Sequence, residues 1–246
     1  MGSVHDLKIK LFADGADFDS ITKLAQNPRI KGFTTNPSLM RKAGISDYEA
    51  FGRKVLKAVE NRPVSLEVFA DDLPSMAAQA RAIATWGPNV NVKIPVTNTK
   101  SEFTGRIVSA LSREGIVLNV TAVMTLDQVR AIAEALDPRA PAIVSVFAGR
   151  IADTGVDPVP HMLECKNILA SRPKAELLWA SPRELLNIFQ ADEIGCEIIT
   201  ATPDILAKLD LVGKDLAAFS RETVQMFHRD AVAAAFEIKT VPVAAE

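Results

Sequence analysis

The chain has 246 residues, enough for one large domain or two small ones with a substantial core. Hydrophobic residues make up 48% and charged residues 24%, with 28 Lys plus Arg against 30 Asp plus Glu, a formal charge of -2. That mixture excludes a disordered chain, and the near-balance gives no electrostatic reason to expect a nucleic-acid or anionic-membrane partner.

Along the chain, short Val/Ile/Leu-rich runs alternate with longer amphipathic segments. The runs Ile9–Ala13, Gly32–Thr34, Val64–Val68, Val90–Ile94, Ile116–Val120, Ala142–Val146, Glu176–Ala180 and Glu197–Thr200 read as strands. They are mostly continuous rather than alternating, as expected of strands covered on both faces. Helices are expected over Phe18–Gln26, Asp47–Glu60, Ser75–Trp86, Lys100–Ser112, Leu126–Leu136, Pro160–Ala170, Pro182–Ala191 and Pro203–Lys208, with Pro182 and Pro203 in first turns. A last long helix is expected from Asp215 to Glu237. Strand–helix alternation implies a parallel sheet with right-handed crossovers, and eight units in roughly 250 residues is the size of a (β/α)₈ TIM barrel. The alternative is a doubly wound open sheet. It commonly carries a Gly-rich turn after the first strand, whereas here that turn reads Ala13-Asp14-Gly15-Ala16-Asp17. We therefore expect a single α/β barrel over residues 1–212, with residues 213–246 as an added C-terminal helix and tail of the same domain.

Catalytic residues of such barrels lie at the carboxyl ends of the strands. There the sequence places Asp14, Thr34-Thr35-Asn36, Glu67, Lys93, Asn119 with Thr121, Ser145 followed by Arg150, and Ser181-Pro182-Arg183. A lone Asp, Asn or Ser after a strand is commonly a helix cap or turn former. Lys93 is harder to explain that way, because it interrupts the apolar strand Val92-Lys93-Ile94-Pro95-Val96, and charged residues are rarely buried unpaired. One reading is a structural ion pair with Glu67 on the neighbouring strand. The other is a nucleophile: burial disfavours the ammonium form of a lysine, and a neutral amine can add to a ketone, lose water and form a Schiff base. Glu67 is then the candidate proton carrier, and Asp14 a second carboxylate suited to a sugar hydroxyl.

Other chemistries have less support. His5, His161 and His228 lack metal-ligand spacing. Cys165 and Cys196 read as buried small residues, too few for a disulfide framework, and fit a reducing compartment. No apolar run is long enough to span a bilayer, and none follows the amino terminus as in a signal peptide. Met1-Gly2 suggests myristoylation, but Asp6 stands where that motif needs Ser or Thr. The expected location is cytoplasmic.

Thr34-Thr35-Asn36-Pro37-Ser38-Leu39 resembles the second-strand signature of transaldolases, and Asn91-Val92-Lys93-Ile94-Pro95-Val96-Thr97 resembles the Schiff-base lysine segment of their short subfamily, which includes the fructose-6-phosphate aldolases. Supporting segments are Leu11-Phe12-Ala13-Asp14, Val64-Ser65-Leu66-Glu67-Val68, Gly149-Arg150-Ile151 and Ala180-Ser181-Pro182-Arg183, and the match is collinear from about residue 9 to residue 202. The resemblance implies a transaldolase of carbohydrate metabolism, of the kind that serves the pentose phosphate pathway. It would transfer a dihydroxyacetone unit from fructose 6-phosphate or sedoheptulose 7-phosphate to an aldose phosphate, with no metal or organic cofactor. It implies that Lys93 forms the Schiff base, Asp14 accepts the C4 hydroxyl proton, and Glu67 with Thr121 holds a relay water. It further implies that Thr34, Asn36, Asn119, Ser145, Phe147 and Ser181 bind substrate, and that Arg150 and Arg183 take its terminal phosphate.

The aldolase branch resembles a pattern with Gln in the third strand and Tyr after the sixth; this chain has Glu67 and Phe147, and its only tyrosine, Tyr48, falls in a surface-like helix. Transfer is thus favoured over release of free dihydroxyacetone. Pro182 stands where the family usually carries Phe, which leaves a sulfonated or otherwise altered sugar as an alternative substrate. A non-catalytic sugar-phosphate sensor on the same barrel is the reading from another class. Leu211, Val212, Leu216, Phe219, Val224 and Phe227 exceed what an outer barrel helix need expose. A homo-oligomer contact is expected there, with packing over the barrel's own floor as the alternative.

Overall fold

The apolar runs become the staves of a closed barrel. In the computed structural model, which describes residues 3–240, the strands are β1 (Lys10–Asp14), β2 (Ile30–Thr34), β3 (Val64–Glu67), β4 (Val90–Pro95), β5 (Leu118–Val123), β6 (Ala142–Val146), β7 (Ala175–Trp179) and β8 (Ile198–Ala201). Every neighbouring pair is parallel, and β8 closes on β1 in the order β1 to β8. The fold is a (β/α)₈ TIM barrel. Met1-Gly2 and residues 241–246 of the expected tail lie outside the described residues. Among the described residues no helix is long and apolar enough to cross a membrane.

The helices are α1 (Phe18–Ala25), α2 (Pro37–Lys42), α3 (Tyr48–Ala58), α4 (Leu73–Ala84), α5 (Gly105–Arg113), α6 (Leu126–Ala135), α7 (Ala148–Ala152), α8 (Pro158–Leu169), α9 (Leu186–Glu193), α10 (Pro203–Ala207) and α11 (Leu216–Ala233). Side chains of Asp17, Asn36, Asp47, Asp72, Thr125 and Asp157 accept a main-chain N–H at their amino ends. Each such cap stabilises its helix by about 1 kcal/mol. Between strands and helices lies the core, where Phe33, Val55, Leu66, Val92, Leu118, Val120, Val144 and Leu177 have no exposed surface.

Several expected boundaries move. The fifth helix starts at Gly105 rather than Lys100, because the Asn98 side chain folds the preceding segment: its carbonyl accepts the N–H groups of Lys100 and Glu102. Pro182 is not in a first turn, since α9 begins at Leu186. Ser181 before it has a left-handed φ of 60°, and the Asn187 side chain accepts the N–H groups of Arg183 and Glu184, which closes a turn ahead of the helix. The short helices α2 and α7 were not expected; each is a single turn or so at the barrel's carboxyl rim, too brief for a periodic apolar pattern.

The barrel interior holds two groups of side chains. Phe12, Ile143, Leu178, Ala180 and Ile198 form an apolar cluster. The Phe12 ring lies so close to Gly32 that a Cβ there would come within 2.5 Å of it. Thr34, Lys93, Asn119, Thr121, Ser145 and Thr200, by contrast, are buried polar side chains, and all six line the cavity at the carboxyl ends of the strands.

The chain divides into two compact units, the first ending at Leu209 and the second starting at Asp210. In the second, α11 is capped by Asp215 and buries none of its residues; Leu216, Val224 and Phe227 are exposed.

Candidate active site

A cavity of ≈ 400 Å³ opens at the carboxyl ends of the strands. Eleven of the twelve candidate residues line it: Asp14, Thr34, Asn36, Glu67, Lys93, Asn119, Thr121, Ser145, Phe147, Arg150 and Ser181. The twelfth, Arg183, is not part of that lining. Its guanidinium is engaged with the Asp153 carboxylate, which accepts from Nε at 3.0 Å and from Nη2 as well. Among the lining residues, Arg150 is therefore the arginine available to an anion. Its guanidinium carbon lies 5.4 Å from the centre of the Phe147 ring.

Register places the central groups. Glu67 of β3 pairs with Lys93 of β4, and Lys93 with Asn119 of β5, so three polar side chains lie side by side at one level. Neighbouring strands are about 4.8 Å apart, which is the reach of a hydrogen bond between such side chains. The Lys93 Nζ lies 3.1 Å from the Glu67 carboxylate and donates to the Thr35 carbonyl at 2.8 Å. Both the ion pair and the buried lysine of the sequence reading are thus present in one group. Lys93 is 6% exposed, so the cost of removing its charge from water must be met by these two acceptors. Asn119 donates to Ser65 Oγ at 3.0 Å, and its carbonyl accepts from Ser145 Oγ at 2.7 Å. Asn119 and Ser145 thus hold each other in place and bound the cavity beside the amine.

Asp14 ends β1 on the opposite side of the opening. Thr34 Oγ1 donates to it at 2.8 Å, Asn36 Nδ2 approaches at 3.4 Å, and Thr200 lies 2.5 Å behind Thr34. Burial pushes the Asp14 carboxyl above its ordinary value of 3.8, with Glu67 adding to the rise; Lys93 and the Thr34 bond only partly offset this. Asn36 has two roles: its amide faces Asp14, while its carbonyl caps α2 by accepting from the Leu39 N–H.

Backbone strain collects around the opening. Ala122 and Ser181 both line it with φ of 60°, a conformation L-residues adopt at a cost of about 1–3 kcal/mol. Ala122 lies in the irregularity between Val120 and Val123, which turns the end of β5 toward the cavity.

Sequence reasoning gave no role to four contributors. Thr35 and Ser65 stand within the transaldolase-like segments and Thr200 ends an expected strand, but they act through a carbonyl or through bonds to other residues, which those segments do not announce. Tyr48, expected on a surface-like helix, is half-buried, with ring centroids 4.5 Å from Phe69 and 5.2 Å from Trp86. Its hydroxyl bonds the Glu67 main chain rather than solvent. The cysteines are buried as expected, and burial pushes both thiols up to about 12, far from nucleophilic use at neutral pH.

Comparison with known proteins adds independent information. The Transaldolase/Fructose-6-phosphate aldolase family profile matches residues 11–244. A probable transaldolase of Dehalococcoides mccartyi is 35% identical over 82% of this chain and 90% of its own length. One from Mesorhizobium japonicum is 35% identical over 86% and 94%. A probable transaldolase 2 of Listeria monocytogenes is 32% identical over 87% and 95%. Among solved structures, 3-keto-L-gulonate-6-phosphate decarboxylase from Vibrio cholerae superposes with a TM-score of 0.53 at 13% identity, covering 80% of this chain and 88% of that one. That likeness concerns the barrel alone.

Proposed function

The chain belongs to the transaldolase/fructose-6-phosphate aldolase family, and from that premise we propose that it transfers a dihydroxyacetone unit between phosphorylated sugars through a Schiff base on Lys93. The observation that carries the proposal is the buried Lys93 amine, 3.1 Å from the Glu67 carboxylate and facing a cavity with Asp14 on its rim.

In this reading Glu67 takes a proton from Lys93, and the neutral amine adds to the donor's C2 carbonyl. Loss of the carbonyl oxygen as water leaves a protonated imine. Asp14 then removes the C4 hydroxyl proton, the C3–C4 bond breaks, and its electron pair moves into the imine to give an enamine as the aldehyde departs. The same steps run backwards on the acceptor aldehyde return the free amine, so atoms and charge balance. Thr121 lies two residues along the strand from Asn119 and lines the cavity, where it can help Glu67 hold the relay water. Arg150 takes the terminal anion. Transfer is favoured over release because Phe147 lines the cavity and the chain's only phenol is committed to main-chain bonds. The sensor reading gains nothing from a lysine buried against a carboxylate.

The first test is intact mass after incubation with fructose 6-phosphate and sodium borohydride. A reduced dihydroxyacetone adduct on Lys93 supports the reading, and product formed only with erythrose 4-phosphate present identifies transfer. A folded chain with no adduct overturns it.

Two further outcomes follow. Asp14 must be ionised to accept a proton, and its burial raises its pKa, so kcat/KM should climb with pH through a value above 3.8. Thr34→Val removes a hydrogen bond that favours the ionised form and should move that acid limb to higher pH; a limb that stays put in pH–rate profiles rejects Asp14 as the base. Stability should change in the opposite sense. A carboxyl with a raised folded pKa binds its proton more tightly when folded, so its contribution is lost as pH rises through that pKa.

We also propose that the exposed apolar residues of α11 contact a second copy of the chain. Truncation after residue 212 should lower the mass measured by light scattering, and an unchanged assembly rejects the idea.

A further inference from the structure

We infer that Tyr48 is a positioning residue for both reacting groups, through a hydroxyl that stands in for one rung of the β2–β3 ladder. The inference rests on the Schiff-base reading of Lys93 and Glu67.

The ladder shows what is replaced. Phe33 N–H donates to the Pro63 carbonyl at 2.8 Å, and Thr35 N–H to the Ser65 carbonyl at 3.3 Å. In a parallel pair the next rung would run from the Glu67 N–H to the Thr35 carbonyl, since bonds alternate along the two strands. That rung is absent. The Glu67 N–H instead donates to the Tyr48 hydroxyl at 2.7 Å, and the same hydroxyl donates to the Glu67 carbonyl at 2.9 Å. The Thr35 carbonyl, left free by this exchange, accepts from Lys93 Nζ at 2.8 Å.

One phenol therefore does two things. It holds the main chain of Glu67 at both its donor and its acceptor, which sets where the carboxylate can point. It also keeps the Glu67 N–H away from the carbonyl that orients the lysine. The chain has reason to need this device. Asn36-Pro37 turns β2 into α2 immediately after Thr35, so β2 has no further residues to pair with β3. The Glu67 carbonyl would otherwise lack a main-chain donor, since Pro37 has no N–H to offer it, and buried main-chain groups are almost always satisfied. The surroundings of Tyr48 fix its hydroxyl in place. The residue opens α3, which Asp47 caps through the Ala50 N–H, and its ring packs against Phe69 and Trp86. With both its donor and its acceptor used, the hydroxyl has no part in moving protons.

The test compares Tyr48→Phe with Trp86→Phe. The first deletes the hydroxyl and keeps most of the ring packing; the second disturbs the packing and keeps the hydroxyl. Steady-state kinetics with fructose 6-phosphate and erythrose 4-phosphate are read beside the rate of borohydride-trapped adduct at Lys93 and the melting temperature. Misplacing reacting groups by about 1 Å costs roughly 10²-fold, so Tyr48→Phe should lose about that much in kcat and in trapping rate, with KM within about threefold of wild type. Trp86→Phe should melt lower yet keep kcat within about twofold. Kinetics of Tyr48→Phe within about threefold of wild type, or equal losses in both variants, overturn the inference.

Because Tyr48 is the only tyrosine, growth on 3-fluorotyrosine labels that one position and leaves its packing in place. Its ¹⁹F resonance should move when the adduct forms on Lys93, and an unmoved resonance counts against the inference even if Tyr48→Phe does not fold. A wild-type chain that forms no adduct defeats the parent reading, and this inference with it, before any variant is compared.

Discussion

Lys93→Met should reduce turnover by a factor on the order of 10⁵ or more, because it removes the only group in the cavity able to make the imine. Met matches the lysine stem in length and flexibility, so the barrel interior stays filled. It also deletes the cation beside Glu67 and the donor to the Thr35 carbonyl. Leaving one partner of a buried pair alone costs about 3–5 kcal/mol, less here because the Glu67 side chain is 18% exposed and keeps part of its contact with water. The double variant Lys93→Met/Glu67→Gln should recover part of that stability while remaining inactive. Turnover, thermal melting and fructose 6-phosphate affinity together decide the matter. An enzyme loses turnover in both variants, whereas a sensor keeps its affinity and has no turnover to lose. Residual activity above about 1% of wild type would reject the covalent role of Lys93.

Gly149→Ala should be among the most damaging single-methyl changes in the molecule. A Cβ at this position would lie 1.5 Å from the Ser181 carbonyl oxygen and 2.6 Å from its carbonyl carbon. Neither side can easily move away: the Gly149 N–H bonds the Ala180 carbonyl at 3.3 Å, and Ser181 is already in the left-handed region. Relief requires the β6–α7 junction to withdraw from the β7 loop, taking Phe147 and Arg150 with it. Overpacking of this kind costs about 3 kcal/mol or more, a fall of roughly 6–12 °C in melting temperature for a chain of this size. kcat/KM should fall by roughly 10²-fold through the displaced Arg150. Gly15→Ala, where nothing lies within 4 Å of the added methyl, is the matched control and should be nearly silent. A Gly149→Ala protein that melts within about 1 °C of wild type would show that the junction is softer than its hydrogen bonds suggest.

The legibility of this molecule divides along a physical line. Continuous runs such as Val90–Ile94 and Ala142–Val146 mark strands buried on both faces, and their alternation with amphipathic segments suffices for the barrel. The same strands place Asp14, Glu67, Lys93, Asn119 and Thr121 at one rim, because side chains alternate along a strand and the rim is where each strand stops. The two short helices α2 and α7 leave no such trace, since one turn cannot display a period.

Period, composition and strand order are properties of neighbours along the chain, and these the sequence by itself determined: a (β/α)₈ barrel with one lysine out of place in an apolar strand. Which polar group answers which is a property of neighbours in space. That Arg183 is held by Asp153, that Asn119 is held between Ser65 and Ser145, and that Tyr48 completes the ladder for Glu67 were decided only by tertiary structure. The physical reason is the short range of the hydrogen bond. A partner 19 or 30 residues away counts only once folding has brought it within about 3 Å, and a local pattern carries no record of that approach.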